Sequence, residues 1–495
     1  MKRALLLALV TACSHPAAPA TPIPAPAPPP AEAATATAPE AGPEAAPEAK
    51  PETRLDPAIA AYADVAGKII AAATADHAAW NKLEYLTDHI GHRLSGTKEL
   101  DAALKWGADT LRADGHENVR IEKVKVPHWV RGAESLKMTA PFARDLPLIG
   151  LGGTVGTRRR GVSAEVVSVH SFDELAALGD KVKGKIVLYD VPMPAYTREK
   201  GSGYDAVFMY RYAGPSKAAA QGAVAVLVRS LTTHSLRTPH TGTLGYDDKQ
   251  PKIPAAAVTV EDAEMMSRLI AAGEHVKVTL RLGAKTLPDA ESGNVIGEIV
   301  GREKPDEVVV IGAHIDSWDV GQGAHDDGGS CAAVMQALTV LRKLGLQPRR
   351  TIRVVLFTNE ENGGRGSKGY LARHEGELPN HVMALESDSG SFDPRGFQVS
   401  GSEGAIPKLR AIASLLAPIK ATEVEKGYSG ADVEGLESHG VVGLGLWVDE
   451  SHYFDYHHTQ ADTLDKVDPD ELARDVAAIA VMAYVVADMP ERLRQ

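Results

Sequence analysis

One stretch near the middle of the chain, EVVVIGAHIDSWDVGQGAHDDGG (residues 307–329), most constrains the fold. A run of Val and Ile leads into His314, which is typical of a buried strand that ends at a polar loop. Asp316 follows two residues later, and Asp326 comes shortly before a Gly pair and an apolar helix pattern. Open α/β sheets bind their ligands at the C-terminal ends of parallel strands. The stretch therefore predicts a functional site at such a sheet edge.

The remaining sequence predicts an α/β fold with a mainly parallel, mixed sheet and helices on both faces. Strand and helix patterns alternate over residues 290–495, and residues 56–130 begin with helices whose connecting loop, HRLSGT, ends at Thr97 as the N-cap. Residues 131–289 consist of short strands and turns, and we expect this segment to close near Thr286–Leu287–Pro288. It holds none of the candidate site residues and is interpreted as a β-rich insert.

The N-terminus, MKRALLLALVTAC, is typical of an export signal, because two basic residues precede a short apolar run. It resembles a bacterial lipobox, which predicts a signal over residues 1–13 and lipidation of Cys13; cleavage as an ordinary signal peptide, giving a secreted protein, stays an alternative. Residues 14–55 are rich in Ala and Pro and predict a disordered tether. We therefore expect an exported, lipid-anchored protein of the cell envelope that meets the membrane only through its lipid.

The charge and the cysteine content exclude one class of partner and one kind of cross-link. A net charge of −12 argues against a nucleic-acid partner. After Cys13 only Cys331 remains, so the mature chain cannot form an internal disulfide, and Cys331 is interpreted as a small buried apolar residue.

Each predicted strand of the second half is followed by residues that bind metals. The candidates are His314, the pair Glu360–Glu361, Asp388, and His457 and His458. Nitrogen and oxygen ligands without thiolate suit zinc, or less selectively cobalt or manganese. Five such ligands with one shared carboxylate would hold two ions roughly 3.5–4 Å apart.

Four motifs carry a resemblance to a known family: GAHIDSWDVGQGAHDDGG, TNEENGG, ESDSG and HHTQADT. In this order they resemble the co-catalytic di-zinc aminopeptidases and carboxypeptidases, and within that family the carboxypeptidase Q group. The resemblance runs from about residue 57 to the C-terminus, and the insert resembles a protease-associated domain. It implies a di-zinc exopeptidase fold, two Zn²⁺ per chain and homodimerisation.

The resemblance also implies a role for each residue that matches a family motif. Asp326 would bridge the two ions, His314 and Asp388 would complete one site, and Glu361 and His458 would complete the other. Glu360 would be the general base, and the Asp316 carboxylate would fix the tautomer of His314. The Asp326–Asp327 peptide bond is expected to be cis, with the Asp326 carboxylate between the two imidazoles.

Three further residues near these motifs are left with open roles. His457 or Tyr456 could contact the substrate or its developing oxyanion, although packing around the ligand loop explains them equally well. His325 stands where the family pattern suggests an uncharged residue, and we interpret it as a spectator.

The sequence thus predicts an exported zinc-dependent exopeptidase that acts on dipeptides or on the terminal residues of short peptides. The carboxypeptidase Q group favours dipeptides and a free C-terminus, whereas the wider family favours aminopeptidase activity. A glutaminyl cyclase on the same fold would use one zinc ion and no hydrolytic water, and the complete set of Asp326, Glu361 and Glu360 argues against it. A non-catalytic binding protein on this fold should have lost ligands, and here none is missing.

Overall fold

The computed structural model describes residues 56–493. The β-strands within this part of the chain are β1 (Glu117–Val130), β2 (Glu134–Ala140), β3 (Arg144–Leu146), β4 (Leu148–Gly150), β5 (Val162–Val169), β6 (Ile186–Tyr189), β7 (Ala225–Arg229), β8 (Ala255–Val258), β9 (Lys277–Leu282), β10 (Lys285–Ile299), β11 (Lys304–His314), β12 (Arg350–Phe357), β13 (His381–Glu386), β14 (Pro394–Ser400), β15 (Glu423–Lys426) and β16 (Val442–Val448).

The α-helices fall between these strands and at both ends of the described chain. They are α1 (Pro57–Ala60), α2 (Ala63–Thr74), α3 (Ala78–Tyr85), α4 (Lys98–Ala113), α5 (Phe172–Leu178), α6 (Phe208–Tyr212), α7 (Gly214–Ala220), α8 (Val260–Ala271), α9 (Gly329–Lys343), α10 (Arg365–Arg373), α11 (Ile406–Ala413), α12 (Glu434–Glu437), α13 (Tyr453–Tyr456) and α14 (Pro469–Asp488).

A mixed sheet with the order β1-β10-β12-β11-β13-β16-β14-β15 carries the candidate site. At its centre β11 pairs in parallel with both β12 and β13, and β13 pairs in parallel with β16. The pairs β1–β10, β10–β12 and β14–β16 are antiparallel. The predicted α/β fold with a mixed sheet is therefore confirmed.

Helices cover both faces of this sheet, which explains the unbroken apolar run of its central strand. Val309 and Ile311 of β11 join a core with α9 and α14, whereas Val308 and Val310 join an opposite core with α10 and α12. Because successive strand residues point to opposite faces, both sets must be apolar. At the other end of the chain, the Thr97 hydroxyl accepts the N–H of Leu100 and caps α4 as predicted.

The chain between β1 and β10 forms a second sheet with the order β3-β2-β9-β5-β6-β7-β8-β4. Its central strands β6, β7 and β8 are parallel and apolar on both faces. One face packs against α5 and α7, and the other packs against α8.

The second sheet ends earlier than the expected boundary at residue 289. Thr286, Leu287 and Pro288 belong to β10, whose residues 285–287 and 290 pair with β1 in the first sheet. Pro288 lies at the register shift opposite the segment from Val126 to His128, so its missing N–H costs no ladder hydrogen bond. The chain therefore returns to the first sheet between residues 282 and 285.

Two expectations concern residues that the structure does not describe. The predicted lipidation site Cys13 and the predicted tether over residues 14–55 lie outside the described residues. Within residues 56–493, none of the helices has the length and apolar character needed to cross a membrane.

Candidate metal centre

The predicted metal ligands meet at one edge of the first sheet. They are His314 at the end of β11, Glu361 after β12, Asp388 after β13, Asp326 in the turn before α9 and His458 after α13. Because β11, β12 and β13 are parallel neighbours, their C-terminal ends lie side by side at this edge.

Asp326 lies between two imidazoles, as expected. Its Oδ1 is 3.2 Å from Nε2 of His314, and its Oδ2 is 3.2 Å from Nε2 of His458. Oδ1 of Asp388 lies 3.4 Å from the same His314 nitrogen, and Oε2 of Glu361 lies 3.1 Å from the same His458 nitrogen. Two ligand triplets therefore share Asp326, one with His314 and Asp388 and the other with Glu361 and His458.

The spacing of these atoms fits tetrahedral zinc. Zinc bonds of about 2.0–2.1 Å place neighbouring ligand atoms of a tetrahedron about 3.3–3.4 Å apart. The separations of 3.2 Å around Asp326, and those to Asp388 and Glu361, lie near that value. Oδ2 of Asp326 is buried without a hydrogen-bond partner, which leaves it free to bind a cation. The donor set of imidazole and carboxylate is one that zinc prefers.

The backbone around Asp326 has the expected cis peptide bond. Two further acidic side chains, Asp462 and Asp327, accept hydrogen bonds from backbone N–H groups of the centre. The Asp326–Asp327 peptide bond is cis. The carboxylate of Asp462 accepts the N–H groups of His325 at 2.7 Å and Asp326 at 3.2 Å, and Asp327 accepts the N–H of His314 at 3.0 Å. Asp462 belongs to the HHTQADT motif, the one sequence signal that could have revealed its role.

Asp316 acts differently from the prediction. Its backbone carbonyl, 3.0 Å away, is the acceptor for Nδ1 of His314, whereas its carboxylate Oδ1 lies 3.9 Å from that nitrogen. The carboxylate instead accepts the backbone N–H of Glu360 at 3.1 Å, because that N–H lacks a strand partner beyond the end of β12. The tautomer of His314 is still fixed with Nε2 free, and Asp316 positions Glu360.

The pKa values of two carboxyl groups in the centre are shifted in opposite directions. Burial raises the pKa of Glu360 well above its usual range, with His314 opposing this shift and Asp388 adding to it. Burial also acts to raise the pKa of Asp326, but the neighbouring imidazoles of His314 and His458 outweigh it and hold the pKa well below its usual range. Glu360 is therefore suited to hold a proton, whereas Asp326 stays ionised.

The loop between His314 and Asp326 is anchored by Arg93, whose role the sequence analysis missed. The side chain is fully buried, and its guanidinium donates to four backbone carbonyls, those of Ile315 at 2.8 Å, Gln322 at 2.7 Å, Gly323 at 3.0 Å and Gly91 at 2.9 Å. Arg93 lies in the HRLSGT loop, where a single arginine gives no periodic signal. It fixes both ends of the loop that carries the metal ligands.

The second sheet also contributes to the centre, contrary to the expectation that it holds no site residue. Thr241, in the connection between β7 and β8, accepts a hydrogen bond from Nδ1 of His458 at 3.3 Å, and its N–H donates to the His458 carbonyl at 3.0 Å. This pairing leaves Nε2 of His458 free for a metal. Arg211 donates to the same Thr241 carbonyl at 3.2 Å, which places a guanidinium next to the loop that carries His458.

His325 packs behind the bridging residue as a neutral imidazole. The N–H of Ser391 donates to its Nδ1 at 3.2 Å, and its Nε2 donates to the Lys466 carbonyl at 3.1 Å. Its ring stacks on Tyr456, with 5.5 Å between ring centroids. Burial lowers the pKa of His325 to about 4. The stacked ring of Tyr456 therefore serves packing at this point.

His457 lies closer to the ligand atoms than Tyr456 does. Its ring stacks on His458 with 3.5 Å between centroids, and its Nε2 is 3.9 Å from Oδ2 of Asp326. Burial is the largest effect on the pKa of His457 and lowers it well below the usual range. His457 is thus a neutral imidazole that can donate a hydrogen bond near the metal ligands.

Comparison with known proteins agrees with this geometry. The family model described as "Peptidase family M28" matches residues 294–483. Carboxypeptidase Q of Bos taurus is 44% identical over 438 residues, which cover 88% of this chain and 91% of that protein. Carboxypeptidase Q of Homo sapiens is 42% identical over the same shares of the two chains.

Solved structures show the same relationship. The crystal structure of a peptidase M28 precursor from Shewanella amazonensis has a TM-score of 0.85 and 35% identity, covering 88% of this chain and 99% of that one. An aminopeptidase from Aneurinibacillus shares the fold, with a TM-score of 0.61 at 24% identity over 86% of this chain and 97% of its own. With the ligand set in place, the chain belongs to peptidase family M28 and is a metallo-exopeptidase.

Proposed function

We propose that this protein is an exported zinc exopeptidase that hydrolyses dipeptides or removes the C-terminal residue of short peptides. His314, Asp326 and Asp388 would hold one zinc ion, and Asp326, Glu361 and His458 would hold a second. Bound zinc would supply Lewis acidity toward a peptide carbonyl and toward the attacking water.

Glu360 is the proposed general base. Glu360 is half-buried and directly precedes the ligand Glu361, and the Asp316 carboxylate accepts its backbone N–H at 3.1 Å. Glu360 would take a proton from the attacking water and return it to the leaving amine, a role worth on the order of 10²–10⁴ in rate. The neutral imidazole of His457 is the proposed donor to the oxygen of the scissile carbonyl.

The observation that favours a substrate with a free C-terminus is the uncompensated charge of Arg211. The side chain is only 2% exposed, and it donates to the Thr241 carbonyl and to the Tyr204 hydroxyl, while its Nε has no partner. Among residues 56–493 no carboxylate lies within ion-pair distance, 4.0 Å, of this guanidinium. A buried cation with only neutral partners is costly, so an anion would stabilise it.

The position of Arg211 indicates which anion this would be. Thr241 offers one carbonyl oxygen both to Arg211 and to the ligand His458, so an anion on the guanidinium would lie next to the metal centre. The C-terminal carboxylate is the anionic group that every unblocked peptide carries, and arginine matches its geometry with paired N–H donors.

The test compares one dipeptide as the free acid with its C-terminal amide. We expect the amide to lose on the order of 10²-fold in kcat/KM, because it removes one partner of a buried charge pair. Arg211→Gln should slow hydrolysis of the free acid and leave the amide nearly unaffected. Arg229→Gln is the matched control, because Arg229 lies in the second sheet with its own partners Asp190 and Glu264. Equal rates for acid and amide would refute C-terminal recognition.

An aminopeptidase is the second candidate, since the Aneurinibacillus structure with the same fold bears that name. It would hydrolyse the C-terminal amide normally and reject an N-acetylated dipeptide. A non-catalytic binding protein would show no turnover with any of these substrates at full zinc content.

Three proposals rest on sequence resemblance. Cys13 would anchor the protein in the cell envelope through lipid, the second sheet would be a protease-associated domain, and two chains would form a homodimer. Light scattering of the protein without its lipid anchor tests the last proposal, and a monomer mass would contradict it.

A further inference from the structure

A glycine-containing loop, residues 427–433, closes on a buried carboxylate beside the metal centre. Oε2 of Glu386 accepts the N–H groups of Asp432 at 2.9 Å and Val433 at 3.1 Å. A Cβ atom at Gly430, whose φ is +119°, would lie 2.1 Å from the same oxygen, so only glycine permits this approach. The other oxygen of Glu386, Oε1, is buried and has no hydrogen-bond partner.

Asp432 adds a second unpaired carboxylate to this place. The residue is 3% exposed, and neither Oδ1 nor Oδ2 has a hydrogen-bond partner. The hydroxyl of the nearby Ser367 donates to the Gly364 carbonyl at 3.3 Å instead. With Glu386, three carboxylate oxygens therefore stand inside the protein without donors, although buried acceptors are normally paired.

This acid pair lies beside the metal ligands. Glu386 precedes the predicted ligand Asp388 by two residues at the end of β13. Glu386 pairs with Gly312 of β11, two residues before the ligand His314, so the acid pair lies next to the metal ligands. Neither Asp432 nor Glu386 belongs to the two ligand triplets.

We propose that Asp432 and Glu386 form the subsite for the α-ammonium group of the substrate. An ammonium group has three N–H donors, which match the three unpaired oxygens of the pair, and its positive charge makes carboxylates its preferred partners. This inference rests on the proposed function and specifies its substrate. Arg211 lies on the His458 side of Asp326 and the acid pair lies on the Asp388 side, so a dipeptide would find a partner for each of its termini.

The probes are one dipeptide and its desamino counterpart, in which hydrogen replaces the α-amine and the free carboxylate remains. We expect the wild-type protein to hydrolyse the desamino compound with kcat/KM on the order of 10²-fold lower, since a buried hydrogen bond to a charged group is lost. Asp432→Asn should lower kcat/KM for the dipeptide by about 10–100-fold and leave the desamino compound nearly unchanged. Glu386→Gln, which keeps an acceptor for both N–H groups, should act in the same direction.

Two controls isolate the effect. Asp475→Asn removes another buried carboxylate, from α14 and outside the metal centre, and should leave the preference for the amine unchanged. Zinc content should be the same in all variants. Calorimetric binding of both compounds to the Glu360→Gln protein gives a readout without turnover, and the dipeptide should bind more tightly than its desamino counterpart only while Asp432 is present.

Two results would overturn the inference. The first is a wild-type protein that does not distinguish the dipeptide from its desamino counterpart, and this comparison needs no variant to fold. The second is an Asp432→Asn protein that is slowed equally on both, which would mean a structural role. Either result leaves the comparison of C-terminal acid and amide untouched, so failure of this inference is distinguishable from failure of the proposed function.

Discussion

Replacing Arg93 by methionine tests how the loop between His314 and Asp326 is held in place. Arg93 is fully buried and donates to the carbonyls of Ile315 and Gly323, which begin and end the loop between His314 and Asp326. Methionine fills part of the volume but donates no hydrogen bond. The Ile315 carbonyl therefore loses its partner in the protein interior, whereas the Gly323 carbonyl keeps the N–H of Gly328 at 3.0 Å.

The size of the effect follows from these contacts. One fully buried acceptor left unpaired, the Ile315 carbonyl, costs about 1–3 kcal/mol of the free energy of unfolding. Because the loop also orients His314 and Asp326, zinc affinity should fall about 10–100-fold, the usual effect of removing a group that supports a metal ligand.

The assay has two parts and a matched control. Denaturant unfolding of chelator-treated protein measures the stability loss, and competition with a chromophoric chelator measures zinc affinity. Arg350→Met is the control, because Arg350 is equally buried and donates to the carbonyls of Val486, Met489 and Pro490, away from the centre. It should lose stability without losing zinc affinity. Native zinc affinity in folded Arg93→Met protein would refute the anchoring role.

Two further predictions concern stability and location. Burial raises the pKa of Asp475 well above its usual value, so the folded chain keeps a proton that the unfolded chain releases, and stability falls as pH rises between the two pKa values. Asp475→Asn should therefore raise the melting temperature more at pH 8 than at pH 5, and an equal effect at both pH values would contradict this. Cys13→Ser should release active enzyme from the membrane fraction, and continued tight association would count against lipidation.

The parts of the site that local pattern can reveal were predictable from the sequence. An apolar run that ends in His314, and a second run that ends before Glu360 and Glu361, mark buried parallel strands and their C-terminal ends. The roles of Asp326 and His458 as metal ligands were predicted from motif resemblance, and their positions in the structure agree with that prediction.

The supporting contacts were not predictable, because they join segments far apart in the chain. Arg93 reaches the loop that follows His314, and Thr241, in the connection between β7 and β8, reaches His458. No local periodicity encodes such pairs. The Asp316 prediction failed for a related reason: motif resemblance indicated the right residue, but only the backbone path shows that its carbonyl, not its carboxylate, meets His314.

The most direct test of the central claim measures zinc content and turnover together in Glu360→Gln and Glu361→Ala. Glutamine keeps the shape of Glu360 but cannot act as a base, so this variant should retain two zinc ions per chain and lose at least about 10²-fold in kcat. Glu361→Ala should lose one zinc ion as well as activity. Near-native turnover of Glu360→Gln, or full zinc content in Glu361→Ala, would contradict the account.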